Sequence, residues 1–333
     1  MKTGFYGGKF LPIHQGHVYA ITSAACEMDH LYVVLCTDKK EEEILCGEAG
    51  VFYASPQKRI SWIGQIIADM ENVELIHINE YDFKKGAELI KAAIPTPITH
   101  VYSSEPSYGP IFKELYPGAE HMLLDEERKA YPISATEIRK NPYSNWDMLP
   151  KVVRKDFVKK VCIIGTESCG KSTMVRYLAK LYNTNYVGEI GREYCEVHSN
   201  QLTAQHFDEI AMKHYVTVEK MTEDSNKVLF VDTEAVTTQY YLNMYLDKHS
   251  EVIDKIAEAQ EYDMYIFLEP TVDWVDDGYR FAGGKEERII NNNILKGMLS
   301  DIGIDFRVIA GEGYYHRLMI AKKWIDSLFE KNQ

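Results

Sequence analysis

Two kinds of apolar pattern alternate along the chain. "KTGFYGG" (2–8) and "LYVVLCT" (31–37) are short apolar runs that read as buried parallel strands. Between them, a stretch from about His17 to Glu27 has helical spacing. "RISWIGQIIADM" (59–70) repeats that spacing, "VELIHI" and "THVYSSE" are further strand candidates, and "ISATEIRKNP" (133–142) begins a late helix. "NPYSNWDMLPKVVRKDF" (141–157) interrupts the alternation with two prolines and a basic cluster. A fresh series follows: "KVCII", "NYVGEI", "KVLFVDT", "MYIFLEP" and "FRVIAG" as strands, and a final helix through "HRLMIAKKWIDSLF". Strands alternating with helices predict parallel sheets covered on both faces. The expected fold class is α/β in two domains: a Rossmann-like domain over 1–147, a linker over 148–158 and a P-loop domain with a parallel sheet over 159–333. The acidic "KKEEE" (39–43) reads as a solvated loop, and "TDKKEEEILCGEAGVFYASPQKR" as a loose segment.

The second series opens on chemistry. "GTESCGKST" (165–173) fits G-x-x-x-x-G-K-[ST], with a strand before it and a helix after it. Gly165 and Gly170 let backbone N–H groups point at a triphosphate, and Glu167, Ser168, Cys169 and Thr173 complete the ATP-binding loop. Lys171 supplies a charge to the β/γ-phosphates, and Ser172 a hydroxyl to Mg²⁺. "KVLFVDTEA" ends a hydrophobic strand in Asp232, a Mg²⁺ ligand or a base for a substrate hydroxyl. A strand-end Asp can also simply cap the next helix. "VDDGYRFAGGKEER" (275–288) carries Arg280 and Arg288 on a polar, glycine-containing loop suited to closing over a transferring phosphate. "GREYCE" adds Arg192 and Glu193, where an acceptor can bind. These parts together predict a small-molecule kinase, and no guanine-reading NKxD motif appears. Cys169, at a helix N-terminus beside Lys171, is expected to have a lowered pKa and to be the most readily modified thiol.

The first series opens on a second phosphate motif. "GKFLPIHQGH" (8–17) fits the nucleotidylyltransferase signature G-x-F-x-P-x-H-x-G-H. Gly7 and Gly8 allow close backbone approach, Pro12 fixes the turn, and Gly16 keeps a Cβ out of the triphosphate's way. His14 and His17 lie about one helical turn apart, so two imidazoles and a helix dipole can stabilise charge at the α-phosphate and the leaving pyrophosphate. A metal site is the alternative for the pair, but the i, i+4 spacing of H-E-x-x-H and a nearby acidic ligand are missing. "ISATEIR" (133–139) is the matching distal element: Ser134 and Thr136 can bind phosphate and Arg139 adds charge. Alone it reads as an N-capped helix.

Composition narrows the setting. The 333 residues carry a net charge of −13, which argues against a nucleic-acid-coating surface. No apolar run reaches the ~20 residues of a membrane span. The six cysteines have no zinc-ligand spacing and read as reduced thiols, so a cytoplasmic enzyme is expected.

In this order, "GKFLPIHQGH", "SSEPSYGP", "ISATEIRKNPYSNWDMLP", "GTESCGKST", "EIGREY", "VDTEAVTTQYY" and "WVDDG" resemble NadR-type bifunctional proteins over nearly the whole chain. The resemblance implies a nicotinamide mononucleotide adenylyltransferase joined to a ribosylnicotinamide kinase. ATP, nicotinamide riboside, nicotinamide mononucleotide and NAD would be the ligands and Mg²⁺ the cofactor. It also implies that Lys9 and Phe10 join the first ATP site, that Ser104, Glu105 and Tyr108 help form the mononucleotide pocket, and that Glu189, Arg192, Asp232 and Trp274 form the riboside pocket. The chain opens directly on its first strand, so the N-terminal helix-turn-helix domain of some relatives is expected to be absent, and with it DNA binding. A kinase whose front domain only senses nucleotide is a further alternative. Homo-oligomerisation is left open.

Overall fold

The computed structural model describes residues 1–271, 285–311 and 313–330. The chain divides into two compact units, Met1–Arg154 and Lys155–Glu330. The boundary lies in helical rather than extended chain: Lys151–Arg154 and Lys155–Phe157 are short helical turns, with Val153 and Phe157 buried.

The first unit is a five-stranded parallel sheet: β1 (Thr3–Gly8), β2 (His30–Cys36), β3 (Val73–Ile78), β4 (His100–Ser103) and β5 (Glu120–Leu123), in the order β3-β2-β1-β4-β5. Strands β1 and β2 are sandwiched on both faces, so Leu31, Val33, Val34 and Leu35 are all buried and the run shows no polar alternation. The chain winds outward from β1 to β3, then returns to β4 on the other side of β1. That reversal opens a crevice at the carboxyl ends of β1 and β4, the place where doubly wound sheets bind ligands.

The second unit repeats the logic with β6 (Lys159–Ile164), β7 (Tyr186–Val187), β8 (Val228–Asp232), β9 (Met264–Leu268) and β10 (Phe306–Ile309), all parallel, in the order β10-β9-β6-β8-β7. Side chains of β6 alternate between two cores. Val161 and Ile163 join Met174, Leu178 and Phe230, while Cys162 and Ile164 face Tyr240, Phe267 and Leu295. Ile163 pairs with Asp232, so the loop after β6 and the end of β8 meet.

Three expectations change. Residues 39–43 are not a loop: Lys39–Ala49 is a helix N-capped by Asp38, whose carboxylate accepts the Glu41 N–H. Glu42 turns inward at 0% exposure, because Arg59 is buried opposite and donates to it bidentately at 2.8 and 2.5 Å. The hydroxyls of Tyr53 and Tyr81 also donate to Glu42. The segment expected to be loose is therefore anchored, with a second helix at Pro56–Ile66. Finally, β5 and the helix Phe83–Ala93 extend the predicted elements; β5 is a four-residue edge strand with half its side chains exposed, too short and polar to show periodicity.

Candidate active sites

In the first unit the loop after β1 is held from several sides. Phe10 sits buried at φ 46°, in left-handed space that a phenylalanine seldom adopts. Its ring stands edge-on to His17 at 5.0 Å. A Cβ on Gly8 would come within 3.3 Å of that ring, whereas one on Gly7 would make only ordinary contacts at 3.9 Å. Arg59 donates to the Lys9 carbonyl at 2.7 Å, and Arg139 to the Leu11 carbonyl at 2.5 Å.

His14 N-caps the helix Gln15–Glu27, and its imidazole stacks on that of His17 with centroids 3.7 Å apart. The His14 backbone N–H donates to His17 Nδ1 at 3.3 Å. That bond assigns the His17 proton to Nε2, leaving an N–H donor. Burial, with the Arg128 charge second, lowers the His14 pKa to about 4. Burial, His14 and Arg128 in turn hold His17 well below the ordinary histidine value. Burial thus favours the neutral form of both rings, and among the described residues His14 Nδ1 is buried without a partner. Gly16 serves the ring rather than the ligand directly: a Cβ there would lie 3.1 Å from the His14 imidazole.

The other predicted residues are distributed unevenly. Ser134 closes a capping box with Glu137, and the Thr136 hydroxyl accepts from Arg139 at 3.0 Å, so both hydroxyls already have partners. Lys9 extends to Glu41 at 2.6 Å and over the Tyr81 ring. Ser104 hydrogen-bonds the Tyr6 hydroxyl, and the Tyr6 ring lies 6.4 Å from His17, which links β4's end to the histidines. Tyr108 instead packs edge-on to Phe83 and Phe112. Sequence reasoning missed Arg128. It ion-pairs with Glu105 at 2.9 Å, and its charge reaches both histidines. The turn that presents it is fixed by Asp125, whose carboxylate accepts three successive backbone N–H groups from Lys129 to Tyr131. A basic residue inside "DEERKAY" carried no signal of its own.

In the second unit a cavity of about 500 Å³ opens between the loop after β6 and the end of β8. Gly165 has φ 143°, and a Cβ there would strike the Leu268 carbonyl at 2.6 Å. Gly170, at φ 90°, starts the helix Lys171–Tyr182. Lys171 is buried and donates to the Thr166 carbonyl at 3.1 Å. Burial works against its charge, but Cys169, Glu189, Asp232 and Glu167 outweigh that and raise its pKa.

Asp232 is 0% exposed. Burial first, and the Glu189 charge second, raise its pKa to about 6, against the pull of Lys171 and the Ser172 and Thr233 hydroxyls. Among the described residues its Oδ2 has no partner. Capping falls to Glu234, whose carboxylate accepts from Val236 and Thr237, so Asp232 is free of that duty. Ser172 and Asp232 together fit a Mg²⁺–nucleotide, since a hydroxyl and an unpartnered buried carboxylate oxygen are hard-cation donors. No cluster of three His, Cys, Asp or Glu side chains suited to a metal occurs among the described residues.

The far wall of the cavity holds Glu189, with Arg192 at 3.9 Å, and His214, Tyr241 and Tyr245. The two tyrosine rings stack at 5.8 Å, and Tyr245 donates to Glu167 at 2.5 Å. Glu167, Ser168, Ser172 and Thr173 line the same space. Cys169 departs from expectation. Its thiol points inward at 0% exposure, donates to the Thr166 carbonyl at 3.0 Å, and has its pKa raised by burial. The helix N-terminus cannot activate a thiol that packs beneath the loop. Trp274 and Arg280 lie outside the described residues; Arg288 is half-buried in the first turn of the helix Lys285–Asp301.

No helix among the described residues is long and apolar enough to cross a membrane. Residues 160–317 match the AAA domain family. The chain is similar to the phosphopantetheine adenylyltransferase of Mycoplasma mycoides, 30% identical over 145 residues that cover 42% of this chain and 95% of that enzyme. A crystal structure of a NadR protein in complex with NR shares the fold at a TM-score of 0.78 and 24% identity, covering 100% of this chain and 98% of that one. The trifunctional NAD biosynthesis/regulator protein NadR of Salmonella typhimurium is 30% identical over 331 residues, spanning 95% of this chain and 80% of the relative. The chain belongs to the NadR family.

Proposed function

We propose that this protein is a bifunctional NAD-salvage enzyme. The second unit phosphorylates nicotinamide riboside with ATP, and the first adenylylates the resulting mononucleotide to NAD and pyrophosphate. The observation that carries this reading is a glycine-containing loop at the carboxyl end of the first strand of each sheet, one bearing His14 and His17 and the other Lys171, in a chain of this family.

In the kinase, Asp232 receives the proton of the riboside 5′-hydroxyl as that oxygen attacks the γ-phosphorus and ADP leaves. A base near pKa 6 is suited to work at neutral pH. Lys171 and the backbone N–H groups of the loop hold the phosphates. Ser172 and Asp232 would hold Mg²⁺, which would supply charge neutralisation to the transferring phosphate. Glu189, Glu167 and the Tyr241–Tyr245 pair offer the negative charge and aromatic faces that suit a pyridinium cation.

In the adenylyltransferase, a phosphate oxygen of the mononucleotide attacks the α-phosphorus and the bond to the β-phosphate breaks. The His17 Nε2–H and the helix N-terminus meet the charge that develops, and Arg128 adds a cation at the rim.

Incubation with ATP, Mg²⁺ and nicotinamide riboside tests the proposal by chromatography. Mononucleotide and ADP should form first, then NAD and pyrophosphate. Absence of mononucleotide would overturn the kinase assignment, and mononucleotide that never becomes NAD would overturn the second step.

A further inference from the structure

Glu42 and Arg59 are both 0% exposed, on the helices Lys39–Ala49 and Pro56–Ile66. Stability alone does not call for them. A buried ion pair costs so much desolvation that apolar residues of similar volume often hold a core as well. Arg59 is also incompletely satisfied, since its Nε is buried without a partner among the described residues. What an apolar pair could not supply is direction. Arg59 Nη1, which donates to Glu42, also donates to the Lys9 backbone carbonyl at 2.7 Å. The Glu42 carboxylate is itself held in place by both Arg59 nitrogens and by the Tyr53 and Tyr81 hydroxyls.

The carbonyl so held belongs to the peptide that leads into Phe10. That residue has a left-handed backbone, φ 46°, and such a conformation persists only where its surroundings impose it. Here they act from both ends: Arg59 holds the Lys9 carbonyl, and Arg139 holds the Leu11 carbonyl at 2.5 Å. The Phe10 ring, 1% exposed, is thereby set edge-on to the His17 imidazole at 5.0 Å, with Tyr6 at 5.9 Å.

We propose that Glu42 and Arg59 are positioning residues of the adenylyltransferase. Glu42 orients the guanidinium, the guanidinium holds the Lys9 carbonyl, and the Phe10 ring that follows braces the His17 imidazole. The proposal rests on the adenylyltransferase reading and gives neither residue a contact with substrate.

The test follows NAD formation from supplied mononucleotide and ATP, with kcat and both KM values measured. It compares Phe10→Ala, the paired exchange of Glu42→Leu with Arg59→Met, and all three changes combined. The paired exchange removes both charges together, so no buried charge is left alone. It should lower kcat by about 10–10²-fold, as a small misplacement of a reacting group does, with each KM within about threefold. Phe10→Ala should do the same. The triple variant should lose no more than the larger of the two, because residues acting in series are not additive. A paired exchange that keeps kcat within about threefold, that acts through KM alone, or whose loss multiplies with that of Phe10→Ala overturns the proposal. If the paired exchange does not fold, as read by thermal unfolding, Arg59→Lys takes its place. It keeps a cation for Glu42 but loses the planar fork that also reaches the Lys9 carbonyl, and an unchanged kcat then overturns the proposal. An unaltered protein that forms no NAD contradicts the adenylyltransferase reading itself, a different result from NAD formation that is insensitive to the pair.

Discussion

The two phosphate sites of this molecule meet the same triphosphate with opposite electrostatics. The first presents neutral rings: His14 and His17 are stacked, with both pKa values lowered by burial, and the permanent charge comes from Arg128 at 42% exposure. The second buries a permanent cation, Lys171, and surrounds it with Asp232, Glu189 and Glu167, which keep it charged. The difference follows the nucleophile. A mononucleotide phosphate arrives ionised and needs no base, so donors that stabilise developing charge are sufficient. A ribose hydroxyl arrives protonated, and the second site supplies a carboxylate with its pKa raised to about 6.

The largest expected effect separates the sites. Lys171→Ala should remove riboside phosphorylation by about 10³-fold or more while leaving NAD formation from supplied mononucleotide unchanged. Loss of both activities in a folded protein would collapse the two sites into one. Next, Asp232→Asn should reduce the kinase kcat by about 10²–10⁴-fold with a much smaller change in the KM for ATP. In the unaltered protein the kinase kcat/KM should fall as pH drops through about 6, because the base becomes protonated, and Asp232→Asn should lack that limb. The raised pKa also fixes the stability sign. This carboxyl favours the folded state only at low pH, and that contribution is lost as pH rises through about 6. Asp232→Asn should therefore be at least as stable as the parent near pH 7, as read by thermal unfolding.

On the neutral side, His17→Ala should slow adenylyl transfer by about 10²–10³-fold without altering the kinase. A change under about threefold would remove His17 from catalysis. The smallest effect concerns thiols. Cys169 is buried with its pKa raised, while Cys26 is exposed. Limited iodoacetamide should label Cys26 and leave both activities intact, as mapped by mass spectrometry. Early labelling of Cys169 would contradict its inward position.

The contrast between the sites also separates what the sequence reveals from what it hides. Gly165, Gly170, Lys171 and the His14–His17 pair are legible because loop geometry and chemistry both constrain adjacent residues. Strand order at β6 and β8 brings Asp232 to the loop, as a hydrophobic run ending in Asp predicts. Arg128 and Glu42 were not legible. Each depends on a partner far along the chain: Arg128 on the histidines, Glu42 on Arg59. Cys169 misled because the motif gives its place in the loop but not the side on which its sulfur lies. The charged stretch at 39–43 misled because three consecutive glutamates hide one that a buried arginine draws inward.

The central claim is that the two sites act separately and in sequence, and crossing the two variants tests it most directly. Each variant, alone and mixed, is supplied with ATP, Mg²⁺ and nicotinamide riboside, and NAD is followed over time. Lys171→Ala alone should leave the riboside unused, and His17→Ala alone should accumulate mononucleotide. The mixture should produce NAD, because the mononucleotide made by one protein is the substrate of the other. A mixture that yields no more NAD than the separate variants, with both proteins folded, would contradict the account.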